Sequence, residues 1–184
     1  MILIFSAPSG SGKSTLVQHL LDTRQDMELS ISATTRAPRG QEQDGKEYYF
    51  ISPERFEQLI RDDAFVEWEQ VYKGTYYGTL KSEIERIEGA GHHVVFDIDV
   101  KGGINVKRLF GDRARSIFIA PPSIEALRER LTKRGTDSQE KIEERLAKAE
   151  IEIADAPLFD TILVNDDLNA TKAALDKEIA AFIG

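Results

Sequence analysis

The sequence predicts an α/β fold, an open parallel sheet with helices on both faces, interrupted by one small inserted mixed α/β lobe and one short arginine-rich turn. Three observations predict it. Short strand-like apolar runs alternate with longer stretches of helical periodicity along most of the chain. The first such run, Ile2-Leu3-Ile4-Phe5, passes through a glycine-rich turn straight into Leu16-Val17-Gln18-His19-Leu20-Leu21, a strand-turn-helix unit. Between residues 33 and 80 the rhythm changes: two aromatic-rich runs follow one another with no helix long enough for a parallel crossover, the pattern of a small antiparallel sheet.

The first turn is Ala7-Pro8-Ser9-Gly10-Ser11-Gly12-Lys13-Ser14-Thr15. Gly10 and Gly12 let the backbone curl until successive N–H groups face one concave point, and the helix that begins near Lys13 adds the positive end of its dipole there. Lys13 can then reach terminal phosphates, and the Ser14 hydroxyl is placed to ligate Mg²⁺. A full phosphate-loop pattern begins with Gly; here Ala7 holds that position, which an L-residue tolerates when φ is negative.

Next comes an alternating strand, Glu28-Leu29-Ser30-Ile31-Ser32, entering the turn-rich Thr34-Thr35-Arg36-Ala37-Pro38-Arg39-Gly40. Glu47 to Ile51 reads as a strand. Ser52-Pro53 is an N-cap with proline at the first helical position, ahead of a helix that carries Phe56, Leu59 and Ile60 on one face. Phe65 to Trp68 and Tyr72 to Thr79 supply the small sheet. Lys81 to Glu88 is helical, stopped by Gly89 and Gly91. His93 to Asp99 is a buried strand ending in two carboxylates, and Ser116 to Ala120 is another, closed by Pro121-Pro122. Ser123 caps a helix that Gly135 ends, Thr136-Asp137 starts the next, Phe159 to Val164 is the last strand, and a final helix carries Leu175, Ile179 and Phe182. The expected division is a core of 1–32 and 81–184, with the inserted lobe at 33–80.

Composition narrows the function. At 41% hydrophobic and 30% charged, the 184 residues suit a soluble globular protein with a sizeable core. No apolar run approaches the roughly 20 residues of a membrane span. A net charge of −8 argues against coating nucleic acid or binding an anionic membrane, both of which need a basic face. The absence of cysteine excludes disulfides and thiolate metal sites. Because Met1 runs directly into the first strand there is no room for a signal or transit peptide, and the expected location is the cytoplasm.

Asp97 stands at the carboxyl end of a core strand, the edge where ligands bind in open parallel sheets, and could hold Mg²⁺ through its water shell opposite Ser14. Asp99 points to the same side if the strand persists; capping the next helix is the alternative for either carboxylate. Arg36 and Arg39, on a Pro-containing loop with Tyr48 downstream, suit a phosphate monoester, since guanidinium binds it bidentately and the phenol donates once more; solvated surface arginines are the alternative. Arg128, Arg130, Arg134 and Arg145 group around Gly135, where spacing alone assigns none of them. Glu67 beside Trp68 reads equally as a solvent-facing carboxylate. His19, His92 and His93 have no metal-ligand spacing.

Taken together, four blocks resemble the guanylate kinase family: Ser6 to Thr15; Ser32-Ala33-Thr34-Thr35-Arg36-Ala37-Pro38-Arg39-Gly40; Tyr76-Tyr77-Gly78 with Asp97-Ile98-Asp99; and Arg134-Gly135-Thr136-Asp137-Ser138. They occur in the family's order and span nearly the whole chain. The resemblance implies a phosphate-loop kinase core, a GMP-binding lobe and a lid at about 134–145. The implied activity is transfer of the γ-phosphoryl of MgATP to GMP, giving ADP and GDP in purine nucleotide metabolism, with dGMP as a further acceptor.

By the same resemblance, Ala7, Pro8, Ser9, Gly10, Ser11, Gly12, Lys13, Ser14, Thr15 and Asn165 serve ATP. Ser32, Arg36, Arg39, Tyr48, Glu67, Tyr77, Thr79 and Asp99 serve GMP. Lys13, Arg36, Arg134 and Arg145 neutralise charge during transfer, and Ser14 and Asp97 serve Mg²⁺. A closing GMP lobe and lid would keep water out. Two other readings compete: a non-catalytic scaffold domain of guanylate-kinase type, which typically lacks an intact phosphate loop, and a kinase of another nucleoside monophosphate.

Overall fold

The structure is a computed structural model that describes residues 1–72, 74–135 and 137–184. Thr136, where the sequence reading starts a helix, lies outside the described residues. The apolar opening run is β1 (Ile2–Ser6), buried at every position, as a central parallel strand must be. The glycine-rich loop leads from it into α1 (Lys13–Thr23), which buries Leu16, Val17 and Leu20. β2 (Met27–Leu29) is shorter than the alternating run at 28–32 suggests. The chain leaves this strand early because the Ser32 carbonyl accepts the Tyr49 amide at 3.0 Å in a different sheet.

That second sheet holds β3 (Ala33–Thr34), β4 (Tyr49–Phe50), β5 (Phe65–Tyr72) and β6 (Thr75–Leu80) in the order β4-β3-β6-β5. β5 and β6 pair antiparallel, as does β3 with β6, whereas β3 and β4 run parallel. α2 (Pro53–Arg61) begins where Ser52 accepts the Arg55 amide at 3.2 Å, and its Phe56 stacks on Phe65 and Tyr76 at centroid distances of 4.4 and 5.2 Å. α3 (Lys81–Gly89) follows β6 directly.

β7 (His93–Asp97) ends at Asp97, so the strand does not persist to Asp99 and the alternation that would aim both carboxylates one way fails there. Asp99 instead caps α4 (Val100–Phe110), its Oδ1 accepting the Gly102 amide at 2.8 Å. β8 (Ala114–Ala120) is almost wholly buried. α5 (Ile124–Arg134) starts at Ser123, which accepts the Ala126 amide, and stops at Gly135 with φ +67°. α6 (Gln139–Ala154) is capped by Ser138, two residues beyond the expected start. β9 (Thr161–Val164) and α7 (Leu168–Ile183) complete the chain.

The main sheet is parallel, five-stranded and ordered β2-β7-β1-β8-β9. α4 packs on β1 and β8, and α7 packs on β9 and α1. Leu127, Leu131, Ile142, Leu146 and Ala149 join α5 to α6. No helix among the described residues is long and apolar enough to cross a membrane. The chain forms two compact units, residues 1–25 with 95–184, and residues 26–94; the second includes β2 and α3 besides the segment 33–80.

Within the first unit, Asp160 ties three segments together. Its Oδ2 accepts the Ser116 amide at 2.8 Å, the Ser116 hydroxyl at 2.9 Å and Lys107 Nζ at 2.9 Å. Burial pushes this carboxyl up, but the bonds from Ser116 and Lys107 outweigh it and hold it below its ordinary value of 3.8. A depressed carboxylate contributes stability that is present above the unfolded value and lost as pH falls through the folded one. Asp160→Asn should therefore lower the unfolding free energy by about 2 kcal/mol near neutral pH. Urea titrations repeated at falling pH should show the gap between the two proteins closing below the ordinary carboxylate value; a gap independent of pH would contradict this.

Candidate functional site

The phosphate loop of the first unit is shaped by what it excludes. Gly10 and Gly12 have φ of +94° and +92°, a region that L-residues with side chains avoid. A Cβ on Gly10 would lie 3.0 Å from Leu127 Cδ1, and one on Gly12 only 2.2 Å from Asn165 Nδ2. Asn165 is buried, its Nδ2 donates to the Ser11 carbonyl at 2.8 Å, and its own carbonyl accepts Arg130 at 2.7 Å. Gly12 is the N-cap of α1 and offers no side-chain oxygen to the first-turn amides. Those amides, with the helix dipole behind them, make the loop a seat for an anion. Ser11 Oγ is buried there without a hydrogen-bond partner among the described residues.

Lys13 stands at the start of α1, its ammonium paired with Asp97 Oδ1 and 3.5 Å from the Ile98 carbonyl. Burial lowers it to about 8, against the pull of the Asp99 and Glu152 carboxylates. Ser14 and Thr15 are exposed on the same turn. Arg145, on α6, donates to Ser9 Oγ and, at 3.3 Å, to Asp137. Arg145 Nε and Asp137 Oδ2 are buried with no further partner among the described residues. Arg134 is exposed in the last turn of α5, and Arg128 pairs with Glu143 across α5 and α6. Ser6, at the end of β1, donates to the Asp99 carbonyl at 3.0 Å.

In the second unit the two-residue period of strands separates two faces. Tyr76 and Leu80 pack with Ala33, Phe56 and Phe65 in the apolar cluster. Tyr77 and Thr79 belong to the other face, where Thr79 Oγ1 donates to Glu67 Oε1 at 2.9 Å across the β5–β6 register. Gly78 lies between them because a Cβ would meet the Glu67 carbonyl at 2.8 Å. Arg36 donates through Nε to the Tyr77 hydroxyl at 2.9 Å and lies over the Tyr48 ring, 4.9 Å from its centroid. Tyr48 meets Tyr77 edge-on at 5.8 Å.

Sequence reasoning missed Glu42. Its carboxylate takes both terminal nitrogens of Arg36, at 2.7 and 2.8 Å, and the Arg39 amide at 2.8 Å. The Arg36 and Arg39 bonds hold it down to about 2. The spacing Arg36-x-x-Arg39-x-x-Glu42 is the signal that could have found it. Glu152 was also missed: burial raises its carboxyl although Lys148 pulls it down, and no motif surrounds it. The structure thus brings together Lys13 with Asp97, Ser9 with Arg145, Asn165 with the loop, Arg36 with Tyr48 and Tyr77, and Glu67 with Thr79. Arg39 and Arg134 present exposed side chains, Ser32 is half-buried beside β3, and Asp99 spends one oxygen on its cap.

Comparison with known proteins bears on the chain as a whole. The guanylate kinase family model matches residues 1–182. A guanylate kinase of Porphyromonas gingivalis is 56% identical, over 99% of this chain and 97% of the relative, and one of Bacteroides fragilis is 52% identical over 100% and 90%. The crystal structure of guanylate kinase from Anaplasma phagocytophilum superposes with a TM-score of 0.74 at 30% identity, covering 98% of this chain and 85% of that one.

The crowding at Gly12 is directly testable. Gly12→Ala combines a left-handed residue bearing a Cβ with a clash against Asn165, which together should cost about 2–3 kcal/mol and lower the melting temperature by several degrees. Adding Asn165→Ala removes the clash and should make the double substitution less damaging than the sum of the two. Strict additivity in the thermal melts would refute the contact.

Proposed function

The chain belongs to the guanylate kinase family, and from that premise we infer that it transfers the γ-phosphoryl of ATP to GMP, giving ADP and GDP, with dGMP as a second acceptor and the cytoplasm as its location. What carries this reading is the intact phosphate loop, two left-handed glycines ahead of Lys13 at the N-terminus of α1, in a chain matched by the family along its whole length.

ATP is the ligand of the first unit. Residues Ala7 to Thr15 cradle its phosphates, and Asn165 both shapes that loop and lies toward the adenine. Lys13 exchanges Asp97 for the terminal phosphates, whose charge favours its protonated form. Arg134 and Arg145 supply further positive charge from the 134–145 lid. Ser14 and Asp97 offer hard oxygen donors within one unit, at a helix start and a strand end, and so fit Mg²⁺ held partly through water. When bound, that ion would neutralise charge on the phosphates as the bond from the γ-phosphorus to its bridging oxygen breaks.

GMP is read by Ser32, Arg36, Arg39, Tyr48, Glu67, Tyr77, Thr79 and Asp99. Guanine presents N1–H and an amino group, and ionised carboxylates such as Glu67 and Asp99 only accept. Adenine would set its N1 lone pair against a carboxylate, a mismatch worth about 10⁴–10⁵ in discrimination. Tyr48, Tyr77, Arg36 and Arg39 surround the monophosphate. Arg36 spends Nε on Tyr77 and its terminal nitrogens on Glu42 and the Ala37 carbonyl. Glu42 therefore fixes the plane of the guanidinium and leaves one Nη2 N–H for phosphate. The acceptor phosphate is largely dianionic near neutral pH, so no strong general base is required. Catalysis consists of holding two anions in line and neutralising them while water is kept away.

Coupled ADP release with GMP, AMP, UMP and CMP offered in turn tests the reading, and only GMP should give rapid turnover. Lys13→Met should lower kcat about 10²-fold or more with the fold intact. Glu67→Gln should weaken GMP binding, because an amide adds a donor where guanine already donates. A folded Lys13→Met protein with near-normal turnover, or AMP used as well as GMP, would refute it.

A further inference from the structure

One buried charge of the second unit has no part in the functions above. Glu83, in the first turn of α3, is 3% exposed, yet both of its oxygens are fully engaged. Oε1 accepts the Ile31 amide at 3.1 Å and Arg86 Nη2 at 2.9 Å. Oε2 accepts the Tyr49 hydroxyl at 2.9 Å and Arg86 Nε at 3.1 Å. Burial pushes this carboxyl up, but the bonds from Arg86, the Ile31 amide and Tyr49 outweigh it and leave it below its ordinary value. Arg86 is itself held by Glu28 at 2.7 Å, and Glu28 Oε2 accepts from His92 Nδ1 at 2.9 Å. The counter-charge is thus anchored from β2 and from the segment before β7.

Two of the points that this carboxylate grips, and the helix that carries it, lie close in the chain to the residues above. Ile31 immediately precedes Ser32, Tyr49 immediately follows Tyr48, and α3 begins two residues after Thr79. Each lies within two residues of one assigned above to the acceptor nucleotide. Ser32 and Tyr49 are also joined directly, carbonyl to amide, at 3.0 Å. Tyr49 turns its ring into the apolar cluster on the face away from Tyr48, so its hydroxyl reaches Glu83 beneath the sheet that displays Tyr48 and Tyr77.

We propose that Glu83 is a positioning residue for the acceptor nucleotide, a buried brace that sets the spacing of the segments carrying Ser32, Tyr48 and Thr79. The inference rests on the GMP reading above. It requires a carboxylate, since four donors converge on two acceptor oxygens and a glutamine would present an NH₂ to Arg86 and Tyr49 instead. Stability alone does not call for such a group, because buried ion pairs are commonly replaceable by apolar side chains at no cost to the fold. A fixed geometry that substrate must match does call for it.

Steady-state kinetics and calorimetric GMP titration of wild type, Glu83→Gln and Tyr49→Phe test the brace. Losing a hydrogen bond to a charged group should raise KM and Kd for GMP about tenfold in Glu83→Gln and several-fold in Tyr49→Phe. KM for ATP, and kcat at saturating GMP, should stay within about twofold of wild type. If Glu83→Gln does not fold, Tyr49→Phe decides alone, since it removes one oxygen and leaves the ring packed. Folded variants with lowered melting temperature but unchanged GMP affinity would overturn the brace and leave the functional reading standing. Parallel losses for ATP and GMP would do the same. A wild-type protein that makes no ADP with GMP would overturn both.

Discussion

A loop whose amides converge on one point cannot be filled by its own side chains, and that exclusion governs the first unit. Gly12 has no room for a Cβ because Asn165 occupies the space, and Asn165 is there because its amide satisfies the Ser11 carbonyl. Gly10 is hemmed in by Leu127 and Leu131 of α5 in the same way. The cradle is thus built from outside, by residues more than a hundred positions away. Its openness toward a ligand is the reverse side of its tight packing against β9 and α5. The helix dipole and uncapped first turn of α1 then act on whatever anion enters.

Charge is handled locally throughout a chain whose net charge is −8. Lys13 has Asp97, Arg36 has Glu42, and Arg145 has Asp137. These carboxylates hold long cationic side chains in defined places, which reduces the ordering a phosphate would otherwise have to impose. They also set a threshold: an anion must offer more than the resident carboxylate to take the cation over. A di- or trivalent phosphate group can, and a simple carboxylate cannot. The acidity of the protein as a whole is therefore no obstacle to binding highly charged nucleotides.

In the second unit a short mixed sheet divides its labour by the parity of its residues. One face is a packed aromatic cluster around Phe56, and the other displays Tyr48, Tyr77, Thr79 and Glu67. Along β6 the faces alternate with a period of two, and a register shift in β5 between Phe65 and Glu67 leaves Phe65 in the apolar cluster and Glu67 opposite Thr79, so the apolar cluster sets the register of the polar face as well. Gly78 allows the β5 backbone close enough for Glu67 and Thr79 to meet. Beneath this sheet the Glu83 carboxylate closes on the Ile31 amide and the Tyr49 hydroxyl.

Much of the protein was legible in its sequence because it depends on short-range chemistry. The strand-turn-helix opening, the serine caps at Ser52 and Ser123, the antiparallel pair β5–β6 and the glycine stop at Gly135 all follow from neighbouring residues. So do the phosphate loop and the arginine-tyrosine motif by which the family is recognised. The extent of α4 was not legible, because Gly102 and Gly103 look like breakers. In the fold both are buried, and a Cβ on Gly103 would meet Ser6 Oγ at 2.4 Å, so the glycine serves close packing and not a turn. The grip of Glu42 on Arg36 and the convergence on Glu83 were likewise decided by tertiary structure. Each depends on a partner brought near by folding, and periodicity along the chain carries no record of which carboxylate will find which donor.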